Sequence, residues 1–244
     1  MLCITILVAF VIMLGPIAQP LTYHAFTDQR RFLGISNFAN VISNLPFIAV
    51  GFLGLYQLFI SKKLFTIAAL KFTYGFLFLA VMLIGFGSSY YHLIPNNQTL
   101  VWDRLPMTIA FIALFCLIVG EYVAIKYAQR ILYPLLVLGC ASVFYWQFTE
   151  SNSVGDLRFY LLVQFLPLIL IPLILLFFNG RYSHGKRYWW LLCFYVLAKL
   201  LEYFDGEIYS ALHIISGHSL KHLFAALGIW LLLQGYQKRT LHKR

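Results

Sequence analysis

Five side chains in this sequence combine types and spacings that could perform chemistry: Ser88, His92, Asp103, His218 and His222. Ser88 and His92 stand four residues apart, as do His218 and His222, so on helices each pair shares one face. Two imidazoles at that spacing can reach one metal ion, as in the helical HExxH motif. The glutamate of that motif is absent here, which excludes a zincin. Three neutral imidazoles would leave the fourth tetrahedral position of zinc open to water, and imidazole-rich sites of that geometry favour zinc. Zinc lowers the pKa of a bound water to about 7. Asp103, eleven residues after His92, could take its proton and pass it on. Ser88 could hydrogen-bond the water or a developing oxyanion. The competing reading is bland, since a lone histidine inside a membrane is more often a hydrogen-bonded packing residue and one such pair can arise by chance. A metal site requires that three separate motifs meet at one depth.

The elements that would bring them together follow from composition. Of 244 residues, 61% are apolar and only 11% charged, against roughly 25% charged in soluble domains. A bilayer-spanning helix uses roughly 20 residues, so the apolar content suffices for about seven. A soluble enzyme, a disordered chain and a collagen-like chain are excluded. Apolar segments run at about 2–19, 38–60, 65–93, 104–125, 130–148, 158–178, 187–209 and 216–237. Backbone groups in hydrocarbon must be satisfied internally, so these are helices. The expected fold is an all-α membrane protein: a seven-transmembrane-helix bundle over 21–244, preceded by an extra N-terminal helix within 1–20. That first stretch lacks a basic start and a good cleavage site, and so reads as a retained helix rather than a signal peptide. Short linkers make consecutive helices antiparallel. The end of 65–93, the start of 104–125 and the start of 216–237 then lie on one side, with His92, Asp103 and the His218/His222 pair among them.

The net charge of +10 reads as a topology signal rather than a nucleic-acid footprint. Lys62, Lys63, Lys126, Arg130, Arg181, Lys186, Arg187, Lys238, Arg239, Lys243 and Arg244 fall on one side of an alternating bundle, which is 11 of the 18 basic residues. Arg30, Arg31, Arg104 and Arg158 fall on the other. The positive-inside rule then puts the C-terminus in the cytoplasm and the histidines near the outer face. The expected location is multi-pass in a membrane, taken as a bacterial cell (inner) membrane. His24, His184 and His242 read as solvated linker or tail residues, and Tyr91 as a packing or interfacial aromatic. The four cysteines all lie in apolar stretches without a CxxC pair, and read as buried thiols.

At these residues the chain resembles the alkaline ceramidases and, more widely, the CREST superfamily of seven-helix membrane hydrolases, which includes the adiponectin/progestin-type receptors. The similarity lies in Gly87-Ser88 through His92, in Asp103-Arg104-Leu105-Pro106-Met107, in His218 through His222, and in the spacing of eleven from His92 to Asp103. Residues Phe38 to Leu45 resemble the opening of the family's first core helix, and Asp205 looks like the aspartate of its penultimate helix. The resemblance implies a zinc amidase with His92, His218 and His222 as ligands, Asp103 and Ser88 supporting catalysis, and a lipid amide that arrives sideways from the bilayer. Departures are visible too. The acidic stretch that looks like a calcium site in animal enzymes is replaced by Thr27-Asp28-Gln29-Arg30-Arg31, with Asn37 near an expected glutamate, which argues against calcium. Lys221 lies between the two last histidines, where animal enzymes are apolar or aromatic; it reads as an ion-pair partner of Glu202 or Asp205, or else as a contact for an anionic head group.

The expected function is therefore intramembrane, zinc-dependent hydrolysis of the amide of ceramide or a related N-acyl lipid, giving a fatty acid and an amine. Lys221, Asp205 and Tyr91 are carried as residues that touch substrate or support the ligands. Two alternatives stay open: a receptor-like binding protein with structural zinc, and an ester-cleaving lipid hydrolase. A transporter is disfavoured, because the polar residues cluster at one depth instead of tracing a path.

Overall fold

A computed structural model describes residue 11 and residues 13–242. The N-terminal helix expected over 2–19 lies mostly outside the described residues, and 15–20 run as irregular chain. Seven long helices and one short one follow: α1 (Phe38–Ile60), α2 (Ala68–Leu93), α3 (Asn97–Val123), α4 (Ile125–Ser151), α5 (Arg158–Phe177), α6 (Lys186–Tyr203), α7 (Asp205–Leu212) and α8 (Gly217–Lys238). The described residues contain no strand. Helices α1 to α5 are each long and apolar enough to cross a membrane. Their outward faces carry Phe72, Val137, Leu138, Phe144, Leu176 and Phe177, the belt that lipid contact requires. The chain is a helical, multi-pass membrane protein. Helices α6 and α8 are less apolar because Lys199, Glu202 and Lys221 lie within them, and these three form one ion-paired group.

Three boundaries differ from the hydropathy reading. Helix α3 starts at Asn97 rather than near 104, since Asn96 accepts from the amides of Gln98 and Thr99 while the Thr99 hydroxyl accepts from the Asn96 amide. This capping box is polar, so it reads as linker by hydropathy although it opens a helix. Asp103 thus sits inside α3 rather than at its mouth. Helix α4 runs longer at both ends than 130–148. The segment expected at 187–209 is broken at Phe204 into α6 and α7.

Helices α1, α2 and α3 pack in sequence, α4 and α5 lie against α3, and α6 packs mainly on α8, which returns to α1. Helices α5 and α6 barely touch each other. The end of the bundle formed by the start of α2, the ends of α3 and α8 and the start of α6 is fastened by charge. Glu121 and Arg239 pair at 2.6 Å, both buried. Tyr74 and Tyr188 donate to the two oxygens of Glu121 at 2.5 and 2.9 Å. The Arg239 guanidinium lies between the rings of Tyr182 and Tyr236, 4.3 and 4.5 Å from their centroids. Arg239 is thus no free cytoplasmic charge, as the sequence count had it, but part of the interior. At the other end Arg30 and Arg158 pair with Asp28 and Asp156. Removing one partner of a buried ion pair costs about 3–5 kcal/mol, because the other charge is stranded. Arg239→Ala should therefore lower the thermal midpoint in detergent more than the double change Arg239→Leu/Glu121→Leu; an equal or smaller effect would show that the pair does not fasten this end.

Candidate metal centre

Two close backbone contacts set the helices that carry the histidines. Gly87 of α2 lies against the carbonyl of Trp102 in α3, where a Cβ would collide. Pro106 has no N–H to offer that carbonyl, so α3 presents a bare C=O to a residue without a side chain. At the far side Gly217, the first residue of α8, abuts the carbonyl of Leu201 near the end of α6 in the same way. The result is close approach of α2 to α3 and of α8 to α6, with the end of α2 and the start of α8 facing each other.

His92, His218 and His222 meet there. Their ring centroids form a nearly equilateral triangle with sides of 4.9, 5.0 and 5.1 Å. All three are buried, and one ring nitrogen from each lies within 4.8 Å of the others. The group could hold a metal ion, and the nitrogens test that fit. Nδ1 of His92 and Nε2 of His218 are buried without any hydrogen-bond partner. The Ser43 hydroxyl donates to the Asn40 carbonyl at 3.0 Å and lies 2.8 Å from Nδ1 of His222. Nδ1 must therefore carry the proton donated to Ser43, which leaves the lone pair on Nε2. Buried polar atoms are normally satisfied, so two buried nitrogens without partners beside an imidazole with a free lone pair suit a shared cation. The residues fit a metal.

Around this triangle, α1 and the chain before it supply the support that the sequence did not reveal. Asn37 takes up the left-handed conformation at φ 49°, which asparagine tolerates, and its amide donates to the His92 carbonyl at 2.8 Å. Asn40 accepts from the hydroxyl of Ser219, next to His218, at 2.7 Å. Ser43 holds His222 as described. The only signal in the sequence was the polar spacing Asn37, Asn40, Ser43, Asn44 at the start of an apolar helix. Phe26 is buried with its ring 4.6 and 4.7 Å from those of His92 and His218. His24 is not solvated as expected: it bonds the Tyr91 hydroxyl and Asn97, both at 2.8 Å. Tyr91 is correspondingly buried, not interfacial. The N-terminal strap is further held by Leu157, whose amide donates to Ile17, and by Glu150, which accepts from the Gln19 amide, Trp146 and Asn97. Outside the membrane-spanning segments, the Arg30 guanidinium holds the Asp28 carboxyl below the usual carboxylate range.

The remaining singled-out residues take these places. Ser88 is buried one turn before His92 and is an electrostatic neighbour of the Asp103 carboxylate. Asp205 accepts from the His218 amide at 2.6 Å and from the Thr27 amide at 3.2 Å. It thus caps α8, where a carboxylate suits the helix dipole, and positions His218 by its backbone. Lys221 pairs with Glu202, which also binds Lys199 at 2.6 Å.

Fold and site together define a helical membrane protein with a buried three-histidine group at one end of its bundle. The Ceramidase family model matches residues 33–205, well over half of the chain, and the chain belongs to that family. No curated protein matches it. The matched span contains Ser88, His92, Asp103 and Asp205 but ends before His218 and His222, whose place rests on geometry.

Outer hydrogen-bond partners of ligand histidines typically hold 10–100-fold of metal affinity. Ser43→Ala should weaken metal binding by about that factor, while His218→Ala/His222→Ala should abolish stoichiometric binding, read by elemental analysis after dialysis against a chelator. One retained zinc per chain in the double variant would sink this ligand set.

Proposed function

We propose that this protein is a zinc-dependent membrane hydrolase that cleaves the amide of a membrane lipid such as ceramide or a related N-acyl lipid, releasing a fatty acid and an amine. Membership of the Ceramidase family supports a lipid amide hydrolase. The single observation that carries the rest is the orphaned pair of imidazole nitrogens beside His222, with Ser88 one turn before His92 and interacting with Asp103 of α3. Zinc bound there would supply an acidified water and polarise the scissile carbonyl. His92, His218 and His222 would hold the cation as neutral imidazoles, and Ser43 keeps His222 in the tautomer that can do so. Asp103 takes the proton from the attacking water and delivers it to the leaving nitrogen. The water oxygen ends on the acyl carbon, the C–N bond breaks, and the amine leaves neutral. Ser88 orients the Asp103 carboxylate. Sparse contact between α5 and α6 supports access from the bilayer side.

Asp103→Asn should keep its zinc and lose about 10²–10⁴-fold of turnover, the usual worth of a general acid–base group, measured as fatty acid released from N-acyl lipids. Wild-type protein with full zinc that releases no fatty acid from broad N-acyl and O-acyl panels would instead be a binding protein. Cleavage confined to the O-acyl panel would make it an esterase.

We also place the C-terminus in the cytoplasm and the histidines near the opposite face, from the distribution of Lys and Arg in the linkers. A C-terminal reporter active only in the cytoplasm should give signal; one active only after export should not, and the reverse result overturns the orientation.

A further inference from the structure

Arg104 follows Asp103 on α3 and is 6% exposed. Its guanidinium lies over Trp146 of α4 and Tyr160 of α5, 4.2 and 4.8 Å from the ring centroids, with Tyr23 of the strap at 5.8 Å. One terminal nitrogen, Nη2, donates to the side chain of Gln19. The other, Nη1, is buried and has no partner at all. No carboxylate lies within 4.0 Å of it among the described residues, whereas Arg30, Arg158, Arg239, Lys199 and Lys221 are each paired with an acid. The rings attract the cation but cannot replace a hydrogen-bond acceptor.

A buried charge without a counter-charge is costly and persists where something compensates it. Asp103, Glu202 and Lys221 are all in electrostatic range of one another on this side of the site, and Arg104 is in range of Asp103. Lys199 and Lys221 are both answered by Glu202, and Glu150 bonds the Gln19 amide and the Trp146 indole, so Arg104 is the cation here that no carboxylate contacts. Consecutive helix residues project about 100° apart, yet the charges of Arg104 and Asp103 still interact, which puts the guanidinium in the electrostatic neighbourhood of the proposed acid–base group. A planar guanidinium with a free N–H edge suits the two oxygens of a carboxylate or phosphate. An uncharged head group could accept a hydrogen bond from Nη1 but would leave the buried charge unbalanced.

We propose that the substrate of this site is an anionic amide lipid, with a carboxylate or phosphate on the amine side of the amide, and that Arg104 receives this group. The inference rests on the amidase reading and sharpens it from amide lipids in general to acidic ones. Lys221 does not serve as the receiving cation, because Glu202 already occupies it.

The test uses the full chain loaded with zinc. Binding is measured on the Asp103→Asn variant, which leaves ligands intact, and turnover on the wild type. The probes are N-palmitoylglycine and N-palmitoyl-phosphoethanolamine, their neutral counterparts N-palmitoylglycinamide and N-palmitoylethanolamine, and palmitate. One or both anionic amides should bind and turn over about 30-fold better than the neutral amides, the size expected of a desolvated charge pair, and the better of the two identifies carboxylate or phosphate. Arg104→Gln should erase that preference by weakening the anionic amides alone, with Arg104→Lys restoring part of it, and zinc content unchanged in both. Equal handling of neutral and anionic amides overturns the proposal while leaving the hydrolase intact. So does an equal loss for both in Arg104→Gln, which marks a structural arginine, or Arg104-dependent binding of palmitate without preference among the amides. Arg104-dependent binding of anionic amides without turnover of any amide or ester keeps the anion site and removes the hydrolase.

Discussion

Backbone touching backbone is the constraint from which the site follows. Where Gly87 meets the Trp102 carbonyl and Gly217 meets that of Leu201, no side chain intervenes, and the helices approach as closely as covalent geometry allows. A methyl group at either point would push α2 from α3 or α8 from α6. The imidazole triangle, with sides near 5 Å, could not hold an ion after such a displacement, because three nitrogens would have to reach it at bond distance. Small residues at helix contacts are the general device by which membrane helices come close without a hydrophobic driving force. Here the device fixes the positions of three imidazoles rather than merely adding packing.

Much of this was legible in the sequence, and the legible part has a common physical basis. Long apolar runs can only be helices in hydrocarbon, so eight of them could be drawn, and antiparallel order then placed His92, Asp103 and the His218/His222 pair on one side. What escaped was polar. The capping box at Asn96 and Thr99 looks like linker to a hydropathy window, and so α3 was started too late. Asn37, Asn40 and Ser43 have no distinctive spacing as metal supporters. Their meaning depends on α1 lying against the ends of α2 and α8, a long-range contact. Arg239 and Arg104 were counted as loop charges because a count cannot tell a solvated cation from one folded back among aromatic rings.

The two ends of the bundle use charge in opposite ways. At the end away from the histidines, Glu121, Arg239 and three tyrosines satisfy one another, so the cluster is closed. At the histidine end, ring nitrogens and a guanidinium nitrogen are left without partners. A fully answered network holds structure, while an incompletely answered one marks where something else belongs.

Helix α8 follows α1 to α7 in the chain, yet it supplies two of the three imidazoles and runs directly into Arg239. Until it is inserted, Glu121 has no counter-charge and His92 has no companions. Both ends of the bundle are therefore completed by the same late event. An insertion intermediate that lacks α8 carries a stranded carboxylate in the membrane, a feature by which quality-control proteases could tell an unfinished chain from a finished one. The three-imidazole group cannot exist before the fold that contains it is closed.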